Sequence, residues 1–367
     1  MKHSTSSFKY IQKSILPCSG SLQKIVWSRD GNYCITAGQD RVCSLWNPYR
    51  ISESEEDIER YNEKIIPKGH LLKVYQGHGQ DITDVAISPD SSKFASVGGD
   101  KCAFIWDIEQ GKLSRKLFGH DLRLTSCCFA GEDGMILLSS SEDKTVKCWD
   151  LRAQNRNSST GEAIISSGSS SCIQTLGKDI FHDSVTRVLV YSQHIIAACS
   201  MDGTVAQFDL RMGKCITESF NSPISTMILS HDSNCLLISL PSPDDSSLSS
   251  TQDINTKEEK LISARLLLTE LSTASVLSQY QGHINTDYCL KPAFTPDDAS
   301  IVCGSEDGSI YIWDLVDATV TSRFQAVHSR AVSCVDLARR GGGNRNGTVG
   351  LLTASFDGTA SLWVATE

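Results

Sequence analysis

A chain of 367 residues, 40% hydrophobic and 21% charged, carries enough apolar side chain to bury a core, which excludes a wholly disordered protein. Single cores stop growing near about 250–300 residues, so this length points to several domains or to a repeat fold, which escapes that limit. The formal charge of −9 excludes a protein whose main task is gripping a phosphate backbone, which needs clustered Lys and Arg.

The 14 cysteines stand mostly singly in apolar runs, as at Cys34, Cys43, Cys102, Cys148, Cys199 and Cys303, without Cys-x-x-Cys spacing. They read as small buried thiols in a reducing compartment. No apolar run follows Met1-Lys2-His3-Ser4, and no stretch approaches the roughly 18 apolar residues of a spanning helix. The expectation is a cytoplasmic and nuclear protein with no membrane partner.

In chain order, residues 8–16 have the apolar content of an outer strand. A unit then follows in which Asp40 precedes Trp46 by six residues. Residues 48–71 interrupt the pattern with the acidic run Glu53, Glu55, Glu56, Asp57 and Glu59, read as a solvated face and a possible short helix. The second unit opens on Gly77-His78 and shows strands at 82–88, 93–97, 102–107 and 111–118, alternating with period two between Ser-Pro-Asp and Gly-Gly-Asp turns. The third opens on Gly119-His120 and carries Asp143 and Trp149 before a Ser-rich insertion at 152–172. The fourth has Phe181-His182, Asp202 and Phe208.

From Phe208 to the next aromatic at that position, Trp313, the distance is twice the normal spacing, so a degenerate fifth unit is placed at 221–281. It has strands at 224–230, 235–240, 262–268 and 276–280, and a Ser-rich insertion at 241–260. The sixth opens on Gly282-His283 and carries Asp307 and Trp313. The seventh has Val327-His328, an Arg-Gly insertion at 339–347, Asp357 and Trp363.

These recurring Gly-His and Asp-to-Trp elements, about 40–45 residues apart, resemble the WD40 repeat family. That resemblance implies an all-β, seven-bladed propeller over residues 8–367, with blades near 20–76, 77–118, 119–177, 178–220, 221–281, 282–325 and 326–367. Residues 8–16 would complete the last blade and close the ring, removing open sheet edges.

His78, Ser96 and Asp100, and again His120, Ser139 and Asp143, are the parts of a nucleophilic triad, but repetition favours structure over catalysis. In the WD40 family they resemble a tetrad from His through Ser or Thr and Asp to Trp. It is matched by His78, Ser96, Asp100, Trp106; by His120, Ser139, Asp143, Trp149; and by His328, Thr353, Asp357, Trp363. Ala198 and Cys303 stand at the hydroxyl position of blades four and six, so those networks should be incomplete and their Asp less well satisfied. The His and Cys spacings fit no zinc module and no phosphate loop occurs, so no metal or cofactor is expected. One Arg-Gly loop at 339–345 without aromatics is read as a solvated loop rather than a nucleic-acid contact.

Asp30-Gly31-Asn32-Tyr33-Cys34, Leu45-Trp46-Asn47-Pro48, Gly98-Gly99-Asp100-Lys101, Asp209-Leu210-Arg211-Met212-Gly213, Ser222-Pro223-Ile224 and Tyr280-Gln281-Gly282-His283-Ile284-Asn285-Thr286-Asp287-Tyr288 resemble the mitogen-activated protein kinase organiser family. That resemblance implies a monomeric, non-catalytic scaffold that assembles kinases of the extracellular-signal-regulated cascade and accompanies the catalytically active spliceosome. The alternative is a reader of histone tails or arginine peptides in the central channel; an enzyme hosted on the propeller ranks last. Arg123, Asn285, Tyr288 and Arg330, which follow the Gly-His loops, are the candidate partner contacts.

Overall fold

Strand placement follows from a gradient of side-chain size and burial along each repeat. Segments such as Cys34–Gly38, Lys93–Gly98 and Ile136–Ser141 are rich in small and β-branched residues and almost wholly buried. They can lie between two neighbouring sheets, where only modest side chains fit. Segments such as Lys214–Ser219 expose nearly every residue and lie at the outer rim.

In the computed structural model, which describes residues 9–51, 58–61, 64–152, 171–192, 194–242, 264–338 and 350–366, these strands form seven antiparallel four-stranded sheets. The innermost strands are Leu22–Trp27, Ile82–Ile87, Leu124–Ala130, Val185–Val190, Thr226–Leu229, Ala293–Phe294 and Val332–Leu337, one from each blade. Around them the apolar side chains gather into seven clusters, each shared by two adjacent blades. Leu22, Ile25 and Trp27 of blade one pack with Leu352, Ala354 and Leu362 of blade seven, so the ring closes on itself.

Closure is made by the strand Lys9–Pro17, which pairs antiparallel with Thr359–Thr366 from Lys9↔Thr366 to Pro17↔Thr359. It is the outermost strand of blade seven, as the sequence leads one to expect. Inside the first insertion the structure differs from the helix expectation. Ile58–Tyr61 and Lys64–Pro67 form a two-stranded hairpin, and Glu59 lies in it; Ser52 to Asp57 fall outside the described residues. Ile58, Tyr61, Ile65 and Ile66 favour pairing over helix, and Lys68 bridges to Ile15 of the closing strand. Most of the other three insertions, and with them Arg339 to Arg345, also lies outside the described residues.

Because the strands of a blade alternate in direction, the connection entering each blade and the turn between its second and third strands share one face of the disc. The Gly-His loops and tetrad Asp residues therefore sit together there, on the top face. The turns between first and second strands lie on the opposite, bottom face.

Candidate partner-binding face and channel

Three tetrads tie the top face to the strands beneath. His78 Nδ1 meets Asp100 Oδ2 at 2.5 Å and its Nε2 meets Ser96 Oγ at 2.7 Å, while Trp106 Nε1–H donates to the same Oγ at 2.8 Å. In blade three the corresponding distances are 2.7, 2.8 and 2.8 Å through His120, Asp143, Ser139 and Trp149. Blade seven repeats them at 3.1, 2.9 and 3.1 Å through His328, Asp357, Thr353 and Trp363. In each, the Asp also accepts the backbone N–H after the His, from Gly79, Asp121 or Ser329. Burial alone would raise the pKa of Asp143, but hydrogen bonds from His120, Thr145 and Asp121, with the His120 charge, lower it to about 2.

The other blades fill the same slots differently. Blade one keeps the Trp46 Nε1–H to Thr36 Oγ1 bond at 3.0 Å, with Cys18 in contact with that hydroxyl in place of a histidine. In blade four His182 is exposed; its backbone N–H donates to Asp202 at 2.6 Å, and its Nδ1 stands 3.8 Å from the same carboxylate. The buried slot of the tetrad histidine holds Phe181, edge-on to Phe208 with ring centroids 6.3 Å apart, above Ala198. Gly177 makes room for that ring: a Cβ there would lie 2.5 Å from it. Asp202 is not short of partners, contrary to expectation. It accepts N–H bonds from His182 and Thr204, which outweigh burial and lower its pKa.

Blade six is the incomplete one. His283 is buried against Trp313, with Cys303 at the hydroxyl position, and neither ring nitrogen has a partner among the described residues. Burial lowers its pKa to about 4 despite Glu306 and Asp307 nearby. Trp313 Nε1–H turns instead to Gln281 O at 3.1 Å, and Asp307 pairs with Arg323 at 2.8 Å.

The four candidate contacts part company. Asn285 is fully buried, its Nδ2 reaching Ser239 Oγ of blade five at 3.3 Å, so it serves the joint between blades rather than a partner. Tyr288 is 42% exposed, its ring lying on Phe356 at 4.6 Å. Its position is fixed by Glu306, which sequence reasoning missed: this carboxylate accepts from the Thr286 N–H and hydroxyl, the Asp287 N–H and the Tyr288 N–H at 2.6–3.1 Å. Arg330 is exposed beside the same Phe356, its Nη1 3.5 Å from the backbone oxygen. Arg123, one third exposed, pairs with Asp81 at 2.5 Å. Exposed Leu122, Met201 and Ile284 share this face.

A second cluster, also missed, crosses the channel. Asp84 of blade two, 1% exposed, faces Arg187 of blade four at 2.8 Å, Lys291 of blade six at 3.5 Å and Lys24 of blade one at 3.8 Å. Burial would raise the Asp84 pKa, but these three cations hold it well below the usual carboxylate range. Lys291 also donates to Thr83 O at 2.7 Å. Each residue reads locally as one charge in an apolar strand, which marks nothing until the ring closes.

Seven four-stranded blades, three of them tied under their top loops by a His–Ser/Thr–Asp–Trp network, define a WD-repeat propeller. The family model described as WD domain, G-beta repeat matches residues 12–47, 69–107, 111–150 and 274–314, which fall in blades one, two, three and six and the outer strands of blades five and seven. WD repeat domain-containing protein 83 of Homo sapiens is 34% identical over 301 residues, covering 82% of this chain and 78% of that protein. The WD repeat domain-containing protein 83 homolog of Dictyostelium discoideum is 24% identical over 377 residues, covering 95% and 96%. Denticleless protein homolog of Gallus gallus is 25% identical over 339 residues but is covered over only 45% of its length. The chain belongs to the WD40 repeat family.

Proposed function

We propose that this propeller is a non-catalytic scaffold that holds partner proteins on its top face, through Tyr288 and Arg330 on one side and Arg123 on the other. The observation that carries the reading is the seating of Tyr288 on Phe356 beside Arg330: an exposed, pre-positioned aromatic and a guanidinium are the side chains that dominate binding energy at interfaces. Exposed apolar Leu122, Met201 and Ile284 extend the patch.

The triad-like geometry does not oppose this. Ser96 is completely buried and its Oγ already receives the Trp106 N–H, so a substrate carbonyl has no path to it. An arginine-peptide reader is disfavoured by the channel, where an incoming guanidinium would meet Arg187, Lys291 and Lys24.

The resemblance to the mitogen-activated protein kinase organiser family, together with the similarity to WD repeat domain-containing protein 83, supports pre-mRNA splicing complexes or a mitogen-activated protein kinase cascade as the setting, in cytoplasm and nucleus. The test is recovery of the tagged protein from its own cells, comparing wild type with Arg123→Glu plus Arg330→Glu. Splicing factors or cascade kinases lost from the double variant support the reading. Recovery of the same partners by both proteins refutes the role of this face.

A further inference from the structure

Independently of the top face, the rim of blade four has the make-up of a self-complementary joint. The outermost strand of a blade presents a row of backbone N–H and C=O groups on which a further strand can add. Charge guards most of these edges. Lys9–Pro17, Gly69–Gln76, Lys112–Phe118 and Val320–Phe324 carry Lys or Arg and no carboxylate, so they offer a second copy of themselves cations only. Cys172–Leu176 and Val276–Gln281 carry no charge, and so nothing electrostatic to fix a register.

Lys214–Ser219, the outer strand of blade four, differs from all of them. It carries one charge of each sign, and five of its six residues are exposed. Neither Lys214 nor Glu218 takes part in an ion pair among the described residues. Partial burial raises the pKa of Glu218, and no cation opposes it. Side chains alternate between the faces of a strand, so Lys214, Ile216 and Glu218 share one face and Cys215, Thr217 and Ser219 the other. Ile216 is 63% exposed, an apolar centre between two opposite, unpaired charges.

Antiparallel pairing of this strand with its own copy, centred on Ile216, satisfies all three side chains. A two-fold axis perpendicular to the sheet sets Ile216 against Ile216, Lys214 against Glu218 and Glu218 against Lys214. These are the apolar and opposite-charge pairs that stabilise neighbouring strands. Such a contact uses the same patch on both copies and closes at two. We propose that two copies of the protein associate through this edge, joining their fourth blades into one eight-stranded antiparallel sheet. The joint departs from the monomer that the family resemblance implies. It lies at the rim, apart from Arg123, Tyr288 and Arg330, so one assembly would present two top faces to partners.

The test is sedimentation velocity of the full-length protein over a concentration series, under reducing conditions so that exposed Cys215 forms no cross-link. Lys214→Glu and Glu218→Lys each set like charges opposite one another twice. The expected result is a wild-type monomer–dimer equilibrium, weakened at least about tenfold by either single variant. An equimolar mixture of the two variants should recover the dimer, because Glu at 214 and 218 of one chain then faces Lys at both positions of the other. Arg123→Glu plus Arg330→Glu should dimerise as wild type does. If either charge variant does not unfold cooperatively, Ile216→Lys replaces it, setting two cations face to face at the axis and likewise weakening the dimer. A wild-type protein that stays monomeric up to its solubility limit overturns the proposal. So do folded variants that dimerise as wild type does, a mixture that stays monomeric, or assembly that continues past two copies.

Discussion

Replacing His283 by Phe should make the protein more resistant to acid, because the native residue is a buried imidazole with no hydrogen-bond partner among the described residues. At neutral pH, removing two unsatisfied ring nitrogens should add about 1–3 kcal/mol, less up to about 1 kcal/mol for fitting a larger ring beside Cys303. Blade four already uses Phe181 in this slot. The decisive part is the pH dependence. Burial lowers the His283 pKa from the ordinary imidazole value of about 6.5 to about 4 in the folded state, so between those values the unfolded chain takes up a proton that the folded protein refuses. Stability is then lost as pH falls through that window, and linkage puts the loss from pH 7 to pH 5 at about 2 kcal/mol. In His283→Phe this loss is absent. Thermal or urea unfolding of both proteins at pH 7, 6 and 5 should show the variant's advantage widening by that amount, since every other titrating group is shared. A gap that stays constant, or shrinks as pH falls, would refute the account of blade six.

Further outcomes follow from the same networks. Ser96→Ala should cost about 2–4 kcal/mol by urea denaturation, since it strands both His78 Nε2 and Trp106 Nε1 in a buried site. Asp84→Ala leaves three cations facing one another across the channel and should cost about 3–5 kcal/mol, again read from urea midpoints; a loss below about 1 kcal/mol would show that the cluster does not brace the ring. Asp143→Asn should remove an acid-sensitive step: with a folded pKa of about 2, Asp143 contributes stability present above pH 4 and lost as pH falls toward 2, measurable by acid titration of circular dichroism. Deleting residues 9–17 should leave Thr359–Thr366 as an open edge and yield aggregated protein on size exclusion.

Much of this fold was legible because a propeller repeats its chemistry at fixed offsets. Asp100 and Trp106, or Asp143 and Trp149, are separated by one turn and one strand, so spacing alone brings them together. The same spacing misleads where a slot is refilled. His182 looks like a remnant of Gly-His, but Phe181 precedes it where Gly77, Gly119 and Gly282 precede His78, His120 and His283, and here the apolar ring takes the buried place, which Val327 before His328 does not. Asn285 follows a Gly-His pair as an exposed contact would, yet its partner Ser239 lies 46 residues away in blade five, and no local pattern carries that information. The channel cluster is less visible still: Lys24, Asp84, Arg187 and Lys291 come from four blades and meet only because the ring closes.

The central claim, a scaffold that engages partners through its top face, is tested most directly by hydrogen–deuterium exchange on the protein alone and in complex with a co-purified partner. Protection on binding should concentrate in the loops around Arg123, Tyr288 and Arg330, with the outer strand Lys214–Ser219 unchanged. Protection confined to the outer strands, or none in those three loops, would contradict it.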